Sequence, residues 1–97
     1  MKAVFVSYDQ AHADDVQRAL GHVQQRGFTL WEQTQGRGSV NGDPHLNNHA
    51  WPSNNASLLT FMADDKVKPF MDLMRRLDAD HPLLGLRAFV LPVEEAM

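Results

Sequence analysis

The stretch Ala56-Ser57-Leu58-Leu59-Thr60-Phe61-Met62-Ala63, followed by Asp64-Asp65, decides the fold of this 97-residue chain. A strand with this sequence is apolar on both of its faces, because successive side chains of a strand point to opposite sides. The two aspartates suit the start of a helix, where carboxylates bind free N–H groups and oppose the positive end of the dipole. The stretch therefore predicts a buried strand that runs directly into a helix.

The helix after this strand has an apolar stripe with spacings of three and four residues. The stripe consists of Val67, Phe70, Met71, Met74 and Leu77. Pro69 suits only the first turn of a helix, so we expect the helix to begin no earlier than about Asp65. Beyond the breaker at residues 80–82, Leu86 to Val93 predicts a fourth strand, and Pro92 marks its end or an edge.

The first half of the chain has the same pattern. Lys2 to Tyr8 is rich in β-branched and aromatic residues and predicts a first strand. Asp9 or Asp14 caps the helix that follows, and Gly27 is expected to end it. The stripe of this helix consists of Val16, Ala19, Leu20 and Val23. Phe28 to Gln33 predicts a second strand.

The predicted order is strand, helix, strand, strand, helix, strand, within one domain covering residues 1–97. With right-handed crossovers this order gives a ferredoxin-like α+β fold, in which a four-stranded antiparallel sheet has both helices on one face. Two helices cover only one face, yet the first, third and fourth strands are apolar on both. We therefore expect a homo-oligomer that buries the second face.

Composition excludes several classes of protein. The formal net charge is −3 and the basic residues are scattered, so no patch suits a nucleic acid. There is no cysteine, which excludes disulfides and thiolate metal sites. No segment has the length of a membrane span, and the first residues lack the apolar core of a signal peptide. We expect a soluble cytoplasmic protein.

Between the second and third strands, Gln35 to Asn55 contains three glycines, two prolines and five asparagines. These residues disfavour regular structure, so we expect a long loop. Loops longer than roughly 12–15 residues are uncommon in small domains unless they have a function.

His45, His49 and Asp43 within this loop form the candidate metal site, because imidazole and carboxylate groups suit Zn, Cu or Ni. The alternative is that both histidines are solvated or bind at an interface. The other three histidines are expected at the surface: His12, His22 and His81.

A candidate anion site consists of Gly36, Arg37 and Gly38, whose backbone N–H groups and guanidinium can bind a phosphate or carboxylate. A simple hairpin turn is equally compatible with these residues. Arg87 is either a second anion ligand in a cleft between subunits or an edge residue that keeps its charged end in water.

Five segments together resemble the landmarks of PII signalling proteins over nearly the whole chain. They are Asp14 to Leu20, Gln25 to Thr29, Gly36-Arg37-Gly38, Asp64 to Val67 and Arg87 to Glu95. The last is the most specific, because PII proteins end their fourth strand with a similar Phe-Val-x-Pro-Val-Glu pattern. The resemblance implies a ferredoxin-like trimer whose sheets face the threefold axis. CutA proteins, which share that trimer, are the next nearest comparison.

The resemblance also implies that Gln35 to Asn55 is the counterpart of the T-loop, with which PII proteins contact the proteins they control. In PII proteins a glycine-rich Thr-Gly-x-x-Gly-Asp-Gly-Lys loop before the fourth strand binds ATP or ADP. This chain has His81-Pro82-Leu83-Leu84-Gly85-Leu86-Arg87 there, and that departure argues against ATP or ADP as the ligand. Tyr8 is the only tyrosine, so the uridylylation of a T-loop tyrosine is excluded.

The sequence predicts a trimeric PII-like regulatory protein that binds a metal or a small anion and signals through its long loop to a protein partner. The alternative is a CutA-like metal-tolerance protein in which His45 and His49 hold the ion. A small ferredoxin-like enzyme is the third reading, but no serine has an adjacent histidine and carboxylate pattern that would support catalysis.

Overall fold

A computed structural model describes residues 1–35 and 54–97 of the chain. Its elements are β1 (Lys2–Asp9), α1 (Ala13–His22), β2 (Thr29–Thr34), β3 (Asn55–Met62), α2 (Asp64–Asp80) and β4 (Arg87–Pro92). Short 3₁₀ turns at Gln10–His12 and Pro82–Leu84 precede α1 and β4. The predicted order of strands and helices is confirmed, and each predicted strand lies within one or two residues of its observed position.

The four strands form one sheet in the order β2-β3-β1-β4, and all neighbouring strands are antiparallel. Each α-helix connects two strands that are separated by a third strand between them. The sheet has a register irregularity between Trp31 and Thr34 at the end of β2. These features are those of the ferredoxin-like α+β fold, as predicted.

One face of the sheet carries the hydrophobic core. Alternate residues of β1 and β3 point toward the helices, and Val4, Val6 and Leu58 are fully buried there. The helices complete the core with their apolar stripes. The buried stripe residues are Val16, Ala19, Leu20, Phe70 and Met74, with Val23, Val67, Met71 and Leu77 partly buried around them.

The opposite face, here called the outer face, is apolar but exposed. Register places Ala3 between Phe61 and Leu91, and Phe5 between Leu59 and Phe89. The exposed fractions are 50% for Phe61, 55% for Phe89 and 49% for Leu91. The prediction that the strands are apolar on both faces is therefore confirmed, and neither helix covers the outer face.

The first helix ends earlier than predicted. α1 ends at His22 rather than near Gly27, because Gln24 adopts a left-handed conformation with φ of 58°. The Gln25 side-chain amide then donates to Thr60 Oγ1 and to the Phe61 carbonyl, both at 2.9 Å. These bonds to β3 replace the last turn that the sequence pattern suggested.

The second helix begins where it was expected, but its proline does not lie in the first turn. α2 begins at Asp64, so Pro69 falls in the second turn. A proline there cannot donate a hydrogen bond to the Asp65 carbonyl. Both residues are exposed, so water can satisfy that carbonyl and the helix tolerates the proline.

Candidate functional site

The segment between β2 and β3 leaves and rejoins the described fold at one end of the sheet. Gln35 directly follows β2, and Asn54 directly precedes β3, which is the neighbour of β2 in the sheet. Of the predicted ligand residues, Arg87 alone is described. The others lie outside the described residues: Gly36, Arg37, Gly38, Asp43, His45 and His49.

A polar cluster occupies the outer face at this end of the sheet. The Asn55 side-chain amide donates to Ser7 Oγ and to Thr34 Oγ1, each at 3.0 Å. The hydroxyl oxygens of Thr34 and Ser57 are 3.1 Å apart. Asn55 and Ser57 are buried, so these bonds join β1, β2 and β3 in a well-shielded position. We call Ser7, Thr34, Asn55 and Ser57 the basal cluster, because they lie at the end of the sheet where β2 ends and β3 begins.

The turn after β1 is hydrogen-bonded to β2 and to the residue before β3, next to the basal cluster. The Asp9 carboxylate accepts a hydrogen bond from the Ala11 N–H at 2.8 Å and so caps the 3₁₀ turn. Within that turn, the Gln10 backbone N–H donates to the Asn54 carbonyl at 2.9 Å, and the Gln10 side chain donates to the Glu32 carbonyl. The connection from β1 to α1 is therefore bound to β2 and to the residue before β3.

The second strand exposes large apolar side chains close to the basal cluster. Leu30 and Trp31 are 36% and 46% exposed, although they have opposite orientations in β2. The pKa of the buried Tyr8 is raised, first by burial and then by the negative charge of Glu32 in β2. The β2 edge thus combines apolar surface with a negative charge.

Arg87 is paired within its own subunit. Its Nη1 donates to the Leu86 carbonyl at 2.6 Å and lies 3.7 Å from Asp78 Oδ1. The side chain is 38% exposed and lines a groove of about 240 Å³ with Arg75 and Met71. An anion that binds here has to compete with Asp78 for the guanidinium, although the side chain is accessible from solvent.

His12 is the clearest correction to the sequence analysis. It was expected at the surface, but it is only 2% exposed, whereas His22 and His81 are exposed as predicted. Its position four residues before Val16 extends the apolar stripe of α1 by one turn, and that spacing could have identified it. The pKa of His12 is lowered from its ordinary value of 6.5, first by burial and then by His81.

The described residues give no metal cluster: no group of three or more histidine, cysteine or acidic side chains within them is arranged to hold an ion. No helix in residues 1–35 and 54–97 has the length and apolar character needed to cross a membrane. The basal cluster was missed by the sequence analysis because its members come from three strands and meet only in the observed register.

The geometry defines a ferredoxin-like subunit with an exposed apolar sheet face and a buried polar cluster at the end of the sheet next to Gln35 and Asn54. The sequence matches no protein-family model and no curated protein. Solved structures, in contrast, match over most of the chain.

These similar structures are of CPII, a nitrogen regulatory PII-like protein from Thiomonas intermedia K12. One is bound to ADP, AMP and bicarbonate, with a TM-score of 0.76 and 14% identity over 92% of this chain and 81% of CPII. Another is bound to ADP, AMP and acetate, with a TM-score of 0.76 and 16% identity over 99% and 88% of the chains. The apo form gives a TM-score of 0.70 at 16% identity, over 92% and 84%. The chain therefore has the PII-like fold, and the resemblance predicted from sequence is confirmed at the level of the fold.

Proposed function

We propose that this chain is a cytoplasmic PII-like regulatory protein, rather than an enzyme. It assembles as a trimer, binds a small ligand, and signals through the loop at residues 35–55 to a protein partner. The single observation that carries this proposal is the PII-like fold, which the chain shares with a ligand-binding regulatory protein over 92% of its length. The exposed outer face and the basal cluster add independent support.

The exposed apolar outer face supports the proposed trimer. Phe61, Phe89 and Leu91 are each about half exposed on adjacent strands. Burying apolar surface is worth about 25 cal/mol per Å², so a second copy placed on this face gains substantial free energy. Three sheets facing a common axis bury all three outer faces and leave the helices at the periphery.

An anion or nucleotide is the first ligand class under this proposal. CPII binds ADP, AMP, bicarbonate and acetate. In this chain Arg87 supplies a partly exposed guanidinium, and Gly36, Arg37 and Gly38 are the proposed partners from the loop. A guanidinium binds carboxylate, bicarbonate or phosphate oxygens through two parallel hydrogen bonds.

A transition metal is the second ligand class, favoured by the two loop histidines. His45, His49 and Asp43 supply ligand types that suit Zn, Cu or Ni. Because the described residues contribute no metal cluster, this site has to be completed by the loop itself or by another copy. In the alternative function, that of a CutA-like metal-tolerance protein, the chain binds the metal and needs no protein partner.

Under this proposal, the basal cluster positions the segment through which binding reaches a partner. Asn55, Ser7 and Thr34 fix the point at which the chain leaves the sheet. A ligand that contacts both residues 36–53 and the fixed fold favours the arrangement of the segment that it fits best. The surface offered to a partner then depends on whether the ligand is present.

Isothermal titration calorimetry of the whole protein tests this proposal. ADP, ATP, bicarbonate, Zn, Cu and Ni are titrated into the wild type, Arg87→Gln and the double variant His45→Ala plus His49→Ala. Arg76→Gln is the matched control, because Arg76 is an exposed arginine of α2 that does not line the Arg87 groove.

If an anion is the ligand, Arg87→Gln weakens binding by about 10- to 100-fold, since a hydrogen bond to a charged group is worth roughly 1.5–3 kcal/mol. The Arg76→Gln and double-histidine variants then bind as the wild type does. If a metal is the ligand, only the double-histidine variant loses the heat of metal binding. The absence of heat with every one of these ligands contradicts the proposed sensor function, and metal heat that survives the double substitution removes the metal site.

A further inference from the structure

A buried histidine lies against an exposed one where the turn after β1 meets the end of α2. The ring centroids of His12 and His81 are 5.4 Å apart, and the ring planes are tilted by 57°. His12 belongs to the 3₁₀ turn that precedes α1, whereas His81 directly follows the last residue of α2. The contact therefore joins the start of α1 to the end of α2 at one end of the helical layer.

The surroundings of His12 contain charges from every element that packs on it. Asp9 is at the end of β1, Asp15 is in α1 with its Oδ2 4.0 Å from His12 Nδ1, and Asp78 is in the last turn of α2. The three carboxylates favour a protonated ring. Burial and the nearby His81 oppose protonation and outweigh them, so the pKa of His12 is lowered. No hydrogen-bond partner for His12 Nε2 is found in residues 1–35 and 54–97.

We propose that His12 and His81 form an acid-sensitive latch that holds the connection at residues 82–86 against the helical layer and releases it when both rings are protonated. When both rings are uncharged, they pack together. Protonation of both places two positive charges at a ring separation of 5.4 Å, with one of them buried. Separating the rings and admitting water then lowers the free energy.

The two sides of the latch differ in how firmly they are held. His12 lies in a turn that is capped by Asp9 and bound to the residue before β3 through Gln10. His81 is exposed, and the following turn is held by the backbone bond from the Leu84 N–H to the His81 carbonyl at 3.2 Å. The side that moves is therefore the connection before β4, as far as the buried Leu86, which anchors its other end.

The latch also bears on Arg87, whose guanidinium is bonded to the Leu86 carbonyl and lies near Asp78. Movement of residues 82–86 alters both contacts. Acid therefore changes the contacts of Arg87, which is the one candidate ligand among the described residues. The latch itself does not depend on the proposed function, and its test needs no ligand.

The test follows the whole protein by NMR from about pH 7.5 to about pH 4.5, which spans the range in which histidine ordinarily titrates and extends below it because the pKa of His12 is lowered. The ring Cε1–H signals report the protonation of His12 and His81. Solvent exchange of the Leu84 amide, corrected for its intrinsic pH dependence, reports opening of the turn. The variants are His81→Gln, which changes an exposed residue, and His12→Phe, which keeps a buried ring. His22→Gln, at an exposed histidine of α1, is the matched control.

In the wild type and in His22→Gln, protection of the Leu84 amide falls by about tenfold as the rings become charged. In His81→Gln and His12→Phe it changes by less than about twofold over the same range. His81→Gln also raises the pH at which His12 titrates, because the competing charge is gone. An unchanged titration of His12 in His81→Gln, or a Leu84 profile identical to that of the wild type in that variant, contradicts the latch. Because His81 is exposed, that variant decides the matter even if His12→Phe does not fold.

Discussion

The two faces of the sheet differ although the same strands build them. On the covered face Val4 and Leu58 are fully buried, whereas on the outer face Phe61 and Phe89 are 50% and 55% exposed. These side chains alternate along strands that are paired in one register. The apolar side chains of the covered face are thus buried within one subunit. The outer face is equally apolar at its centre but has no described partner, which is why we assign it to assembly.

The outer face is itself divided along the strands. Phe61, Leu91 and Phe89 occupy one part, and the hydrogen-bonded basal cluster around Asn55 occupies the end where β2 ends and β3 begins. Under our proposal the apolar part holds the copies together, and the polar end positions the loop. Variants on the two faces should therefore separate folding, loop positioning and assembly.

The largest expected effect on folding is at the centre of the covered face. Phe70 is fully buried among both helices and the sheet, so Phe70→Ala should lower the free energy of unfolding by about 3–5 kcal/mol. Urea denaturation at matched protein concentration measures it, because the stability of an oligomer depends on concentration. Leu83→Ala, at a residue that is 68% exposed, should change the free energy by less than about 0.5 kcal/mol. Equal effects of the two substitutions would abolish the distinction between covered and exposed apolar residues.

A smaller loss is expected at the polar end of the outer face. Asn55→Ala removes the donor shared by Ser7 and Thr34 and should cost about 1–3 kcal/mol, the range for leaving shielded polar groups without a partner. Gln33→Ala, an exposed change in the neighbouring strand, serves as the control. Urea denaturation of both variants supplies the comparison. A loss for Asn55→Ala no larger than that of the control would show that the basal cluster does not brace the strands.

The smallest effect is a pH dependence at the margin of the covered face. Because the pKa of His12 is lowered in the folded state, the unfolded chain binds the proton more readily. The stability that neutral His12 contributes is complete above its ordinary value of 6.5 and is lost as the pH falls below it. We expect the free energy of unfolding to fall between about pH 7.5 and pH 5.5 in the wild type and to fall less in His12→Phe. Parallel pH profiles for the two proteins would assign the loss to other groups.

Much of the fold was predictable because it rests on local patterns. The alternation in Lys2–Asp9, the doubly apolar Asn55–Met62 and the stripe of α2 specify the element type and the face of each element. The end of α1 was not predictable from these patterns. It depends on Gln24 in a left-handed conformation and on side-chain bonds from Gln25 to β3, and such long-range contacts leave no local signal.

The candidate site was less predictable than the fold. Asn55 looked like the last residue of a loop, but register makes it a buried residue that bonds to two other strands. His12 was expected at the surface because it precedes the predicted helix, although its four-residue spacing from Val16 places it on the apolar stripe, and a 3₁₀ turn carries it into the core. For Arg87 the sequence leaves two alternatives, an edge residue or an anion ligand in a cleft between subunits, and its proximity to Asp78 became visible only in three dimensions.

The mass of the protein in solution tests the central claim most directly. Light scattering after size-exclusion chromatography at micromolar concentration should give about three times the subunit mass of 10.9 kDa for the wild type and for Leu83→Lys. Phe61→Lys, which puts a charge on the apolar part of the outer face, should give the subunit mass while circular dichroism shows an unchanged content of helix and strand. A wild type that runs at 10.9 kDa under these conditions would contradict the assignment of the outer face to a trimer.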